Sequence, residues 1–171
     1  VLMGLGSLQS GNLAQVLQGL VTLLQVTGSF GKPGGGMATL YGNGNYEPLI
    51  RSMVKELGLE GIVSINPPTG DVRSVIRDNH IFVYPSPYEP AFSQSILESL
   101  GSGRAVVCRK TAGIRKYFRE DSILGVMPMN EKNLAEKLSW IIANRSKTEE
   151  IALKGKEIIL KRFSFENFMS Q

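Results

Sequence analysis

Short, unbroken apolar runs alternate along this chain with stretches whose apolar residues recur every three or four positions. The runs at 1–6 (VLMGLG), 37–42 (MATLYG), 61–66 (GIVSIN), 80–85 (HIFVYP), 105–109 (AVVCR) and 123–128 (ILGVMP) read as six strands. Between and after them, helical periodicity marks 13–24, 46–59, 71–78, 93–103, 131–144 and 147–163. In the first of these helices Leu13, Val16, Leu17, Leu20 and Leu24 share one face. The strand runs are continuously apolar rather than alternating, as strands covered on both faces should be. No two-residue hairpin signal joins them. The pattern predicts one α/β domain over 1–171, Rossmann-like, with a six-stranded parallel sheet between two layers of helices.

In such a sheet, ligands bind beyond the carboxyl ends of the strands, where the strand order reverses. That rule selects the loops after the first and fourth strands, GLGSLQSG (4–11) and SPYEPAFSQ (86–94). In the first loop, Gly6 and Ser7 sit where a backbone can approach a ligand closely. Gly4-x-Gly6 lacks the third glycine of a dinucleotide fingerprint, so the motif is weak. After the fourth strand, Ser93, Gln94 and Ser95 open a helix, and their N–H groups have no partner inside it. Together with the helix dipole they suit a phosphate or diphosphate; Ser93 acting as an ordinary N-cap is the alternative. Glu98, further along that helix, can accept two hydrogen bonds from the vicinal hydroxyls of a ribose, or stand as a solvated helix carboxylate. Glu89, held on a loop before Pro90, can accept from sugar hydroxyls or do nothing.

Composition narrows this only a little. Apolar residues make up 42% and charged residues 20%, ordinary for a globular domain, and 19 Lys and Arg against 15 Asp and Glu leave a mild +4. That excess fits an anionic ligand, an anionic membrane surface, or simply a solvated basic face. Cys108 is the one cysteine and lies in an apolar run, so no internal disulfide forms and the thiol reads as structural. His80 is the one histidine, which leaves a metal site without a ligand set. No apolar run reaches the roughly 18 residues of a membrane span. Val1 opens directly in a strand run without an initiator methionine, so the chain reads as a piece of something longer.

The block IFVYPSPYEPAFSQSILESLGSGRAVV (81–107) resembles the donor-binding half of the retaining glycosyltransferases of family 4, which have the GT-B fold. The likeness is carried by Pro85-Ser86, Tyr88-Glu89-Pro90, Leu97-Glu98-Ser99, Gly103 and Ala105-Val106-Val107. It extends to TLYGNGNYEPLI, to TAGIRKYF as a second glycine loop, and to NLAEKLSWIIAN and RFSFENF near the C-terminus. The resemblance implies a C-terminal domain from a two-domain hexosyltransferase that uses a nucleoside-diphosphate sugar and builds a glycan or glycolipid. Glu89 would then be the catalytic, sugar-side carboxylate, Glu98 the ribose carboxylate, and Phe92, Ser93, Gln94 and Ser95 the cradle of phosphate and sugar, with Gly6 and Ser7 opposite. It implies no metal or other cofactor, an acceptor held by an absent N-terminal domain, no nucleic acid, and cytoplasmic residence with peripheral membrane contact. Alone, the piece would bind donor and transfer nothing.

Three departures stand out. Eight residues separate Glu89 from Glu98, one more than the family's spacing. GLGSLQSG carries no cation, where the family places an Arg and a Lys against the diphosphate. The later loop has Ala112-Gly113 for a glycine pair and Lys116 for an acid. Arg109, Lys110 or Lys116 could replace the missing charge from the other side. A degenerate, non-catalytic GT-B module is therefore a second reading, and a nucleotide-sugar 2-epimerase a third.

Overall fold

The computed structural model describes residues 2–4, 38–41, 47–85 and 93–163, with side chains over the last two segments. All six expected strands form: β1 (Leu2–Gly4), β2 (Ala38–Tyr41), β3 (Val63–Asn66), β4 (Ile81–Tyr84), β5 (Ala105–Arg109) and β6 (Leu124–Val126). They make one sheet in the order β3-β2-β1-β4-β5-β6, with every neighbouring pair parallel. The order reverses between β1 and β4, where Leu2 and Met3 lie opposite Phe82 and Val83. This is the doubly wound arrangement, and its crevice is the gap between the ends of those two strands.

Six helices accompany the strands among the described residues: α1 (Glu47–Glu56), α2 (Val72–Arg77), α3 (Gln94–Gly101), α4 (Ala112–Tyr117), α5 (Glu131–Ala143) and α6 (Arg145–Arg162). The expected helix at 13–24 and the glycine-rich stretch at 28–36 lie outside the described residues. TAGIRKYF, read as a loop, instead contains α4. Six residues are too few to show a helical period, and the start signal lies in Thr111, whose Oγ1 accepts from the Ile114 amide at 3.2 Å. Asp71 likewise caps α2, accepting from the Ser74 amide at 3.1 Å, and the hydrogen bonding with Ser74 holds its carboxyl below the usual value.

Alternation along each strand divides the core into two layers. Val83, Ala105, Val107, Leu124 and Val126 face one side and pack with Ile50 and Val54 of α1, Leu134, Leu138 and Ile141 of α5, and Ile151 of α6. Phe82, Val106 and Cys108 face the other and pack with Ile76 of α2, Ile96 and Leu100 of α3, and Ile114 of α4. Val83, Val107, Ile96, Leu100, Leu134 and Leu138 retain no measurable exposure. Cys108 is 1% exposed and buried in this second layer.

Two glycines fix how α3 and α6 meet the sheet. Gly103 has φ +69° and follows the end of α3; its N–H donates to Leu100 O (2.8 Å) and that of Arg104 to Ser99 O (3.0 Å). This Schellman turn satisfies the last carbonyls of α3 and delivers the chain to β5. Helix α6, with 18 residues, is about 27 Å long and serves both layers. Its Ile151 and Ala152 join the first layer while Ile158 and Ile159 pack against the second. Between them, Gly155 passes so close to α3 and to the turn before β6 that a Cβ there would lie 2.6 Å from Ser122 O and 2.8 Å from Leu100 Cδ2. Backbone oxygen cannot yield as a side-chain tip can. Gly155→Ala is therefore expected to lower stability by about 1–3 kcal/mol despite its gain in helix propensity. Urea unfolding of the two proteins measures this, and a variant at least as stable as the parent would contradict the close approach.

Candidate functional site

At the carboxyl end of β4 the chain passes Pro85 and, after residues 86–92, enters α3 at Ser93. Ser93 occupies the N-cap position in extended conformation (φ −85°, ψ 132°), yet its side chain caps no amide. Its hydroxyl pairs instead with that of Ser95. The expected N-cap thus fills the position without using the hydroxyl for it. Helix geometry leaves the N–H groups of Gln94 and Ser95 without partners inside α3, at the positive end of its dipole. Ser93 and Ser95 are half-buried and Gln94 is exposed.

One turn further, Glu98 is half-buried, and Gln94 Nε2 donates to its Oε1 at 2.8 Å. The four-residue spacing puts both side chains on one flank of α3. A carboxylate so held keeps one oxygen wholly available and can exchange the amide donor for ligand hydroxyls. The structure therefore brings together Ser93, Gln94, Ser95 and Glu98 at the start of one helix. The other expected site residues, Gly6, Ser7, Glu89 and Phe92, lie outside the described residues.

The three cations considered as replacements for the absent charge have different surroundings. Lys110 forms an ion pair with Glu120, a hydrogen bond that holds the Glu120 carboxyl below its usual value. Its aliphatic stem lies against the backbone of Gly125 in β6, away from β4. Lys116 reaches over the ring of Tyr117, 5.3 Å from its centroid. Arg109 closes β5, and its Nε is buried without a hydrogen-bond partner. Sequence reasoning named all three and had no means of ranking them.

A second concavity, of about 380 Å³, opens beside β6 and was not anticipated. Ile114, Phe118 and Ile123 form its floor, and Lys110, Arg115 and Arg119 stand around it with Glu120. Its walls come from α4, the residues on either side of it and Gly125 of β6, so only the formed helix α4 reveals it. Among the described residues no group of three or more His, Cys, Asp or Glu side chains could hold a metal ion. No described helix is long and apolar enough to cross a membrane.

Residues 10–158 match the family model for glycosyl transferases group 1, and the chain belongs to that family. Its fold is similar to that of HepE from Anabaena, solved with UDP and glucose, at a TM-score of 0.80 and 20% identity over 99% of this chain and 46% of that one. It is also similar to the C-terminal domain of the group 1 glycosyl transferase LpcC from Francisella tularensis, at a TM-score of 0.73 and 18% identity over 96% of this chain and 86% of that one. Among curated proteins it resembles the lipopolysaccharide 1,2-N-acetylglucosaminetransferase of Salmonella typhimurium, 24% identical over 125 residues, or 71% of this chain. The chain spans about a third of that relative (32%) and under half (46%) of HepE.

The side-chain geometry at the helix starts has a direct test. Ser93→Ala should change stability by less than about 0.5 kcal/mol, since no amide loses a partner. Thr111→Ala and Asn130→Ala, which remove caps on Ile114 N and Asn133 N, should each cost about 1 kcal/mol. Thermal melts of the three variants would show it, and an equal loss at Ser93 would mean that its hydroxyl caps α3 after all.

Proposed function

We propose that this chain is the C-terminal, nucleotide-sugar-binding domain of a retaining, family 4 glycosyltransferase that moves a hexose from a nucleoside-diphosphate sugar to a glycan or glycolipid. The observation that carries the reading is the start of α3. Its first amides are left free by Ser93, and Glu98 stands one turn above them, beside the crevice where the strand order reverses. A diphosphate seated on those amides puts its ribose within reach of the carboxylate. The UDP and glucose bound to HepE, the domain boundaries of the LpcC structure and the sugar-transferring activity of the Salmonella relative all support it.

In this reading the amides of Gln94 and Ser95 stabilise the charge that grows on the leaving diphosphate as the sugar–oxygen bond breaks. Ser93 and Ser95 hydroxyls and Phe92 complete the cradle, with Gly6 and Ser7 approaching from the loop after β1. Glu98 exchanges its contact with Gln94 for the ribose hydroxyls. Glu89 meets the donor sugar as the catalytic carboxylate. The reaction proceeds without a metal, the acceptor is held by a further, N-terminal domain, and the donor pool supports cytoplasmic residence, with the basic residues suited to peripheral membrane contact. A second reading, a non-catalytic binding module, is favoured by one observation: GLGSLQSG has no Arg or Lys.

Calorimetric titration with UDP, GDP and ADP tests the proposal. One of the three should bind saturably, and Glu98→Ala should weaken it roughly ten- to a hundredfold, the worth of one or two hydrogen bonds to a charged group. Absence of binding by all three would refute the donor site.

A further inference from the structure

Among the described residues, three buried side-chain polar atoms lack a hydrogen-bond partner: Ser99 Oγ, Arg104 Nε and Arg109 Nε. A buried donor without an acceptor is costly and rare, so each such group calls for a reason. Ser99 is internal to α3, and Arg104 precedes β5 at the amino end of the sheet, away from the crevice. Arg109 is different, because it is the last residue of β5, at the end of the sheet where ligands bind.

The register locates it. Cys108 lies opposite Tyr84, so Arg109 is level with Pro85, where the chain leaves β4 on its way to α3. From β5 to β1 is two strand spacings, about 10 Å, which places Arg109 beside the switch point. By alternation its side chain leaves the sheet on the side of Ala105 and Val107, the layer of α1 and α5, whereas α3 packs with the opposite layer. A ligand resting on the start of α3 and lying over the strand ends is thus approached by helix amides from one side and by Arg109 from the other.

The charge balance asks for such a group. A nucleoside diphosphate brings at least two negative charges, and the end of a helix offers the equivalent of roughly half a positive one. GLGSLQSG adds none. Lys110 is engaged with Glu120 across the far edge of the sheet, and Lys116 lies over Tyr117. We infer that Arg109 is the diphosphate-binding cation of this site, its unpartnered Nε–H being a donor that a phosphate oxygen satisfies. A planar guanidinium suits this task because it can present paired donors to one phosphate.

The inference rests on the proposed donor site, and the test separates the two. Affinities for UDP, GDP and ADP, and for uridine, guanosine and adenosine, would be measured by calorimetry on the parent protein, Arg109→Gln, Arg109→Lys and Lys110→Gln. Arg109→Gln should weaken the bound diphosphate roughly ten- to a hundredfold while leaving its nucleoside within about twofold. Arg109→Lys should recover part of the loss, and Lys110→Gln should match the parent. If Arg109→Gln does not fold, Arg109→Lys carries the comparison: a diphosphate-selective loss of severalfold supports the assignment. An unchanged diphosphate affinity, or equal losses for diphosphate and nucleoside, overturns it while the donor site stands. A parent protein that binds none of the diphosphates removes both.

Discussion

Everything in this domain follows from a sheet whose central strands have no wet side. Val83 and Val107 face one layer, Phe82 and Val106 the other, and each is almost or entirely removed from water. A parallel sheet of this kind cannot stand on one layer of helices, and parallel neighbours cannot be joined by tight turns. Parallel neighbours must be joined by crossovers, and every crossover starts at the carboxyl edge and leaves a loop there. The crevice is a by-product of that covering. Where the order reverses between β1 and β4, successive connections go to opposite faces, and a gap opens without any residue being chosen to make it.

What makes the gap specific is the way one helix begins. α2, α4 and α5 are closed by the side chains of Asp71, Thr111 and Asn130, each accepting from an amide three residues on. α3 has a serine in the same place and directs its hydroxyl to Ser95 instead. α6 also begins without a side-chain cap, at Asn144, but it follows directly on α5, whereas α3 begins after β4 at the crevice and keeps its first donors there. Its far end is closed firmly by the Gly103 turn, so the open end is a local property and not a frayed helix. In the proposed reading, the charged leaving group takes a place built from backbone.

Much of this was legible before any coordinates. Six apolar runs without alternation announced a sheet buried on both faces, and all six became strands. The motif around Glu98 gave the helix, its start and the family. What the sequence withheld was geometric. Six residues of α4 carry too little periodicity to distinguish a helix from a glycine loop, and the decisive signal was a single threonine. Ser93 could be read as a cap or as part of a ligand cradle, because a serine hydroxyl serves either and only its rotamer decides. Arg109, Lys110 and Lys116 look alike as letters. Lys110 is separated from the others by a partner ten residues away, Glu120, which the fold of α4 brings back to it.

The course of α6 has a consequence for how the molecule comes apart. Most helices of a doubly wound domain belong to one face, so one layer could in principle loosen while the other holds. Here Ile151 and Ile159 lie eight residues apart on one rigid rod, with Gly155 seated between them against the chain at Ser122. Lifting either end levers the other. The two cores are thereby tied together, and amide protons in the helices on opposite faces of the sheet are expected to exchange through one shared opening.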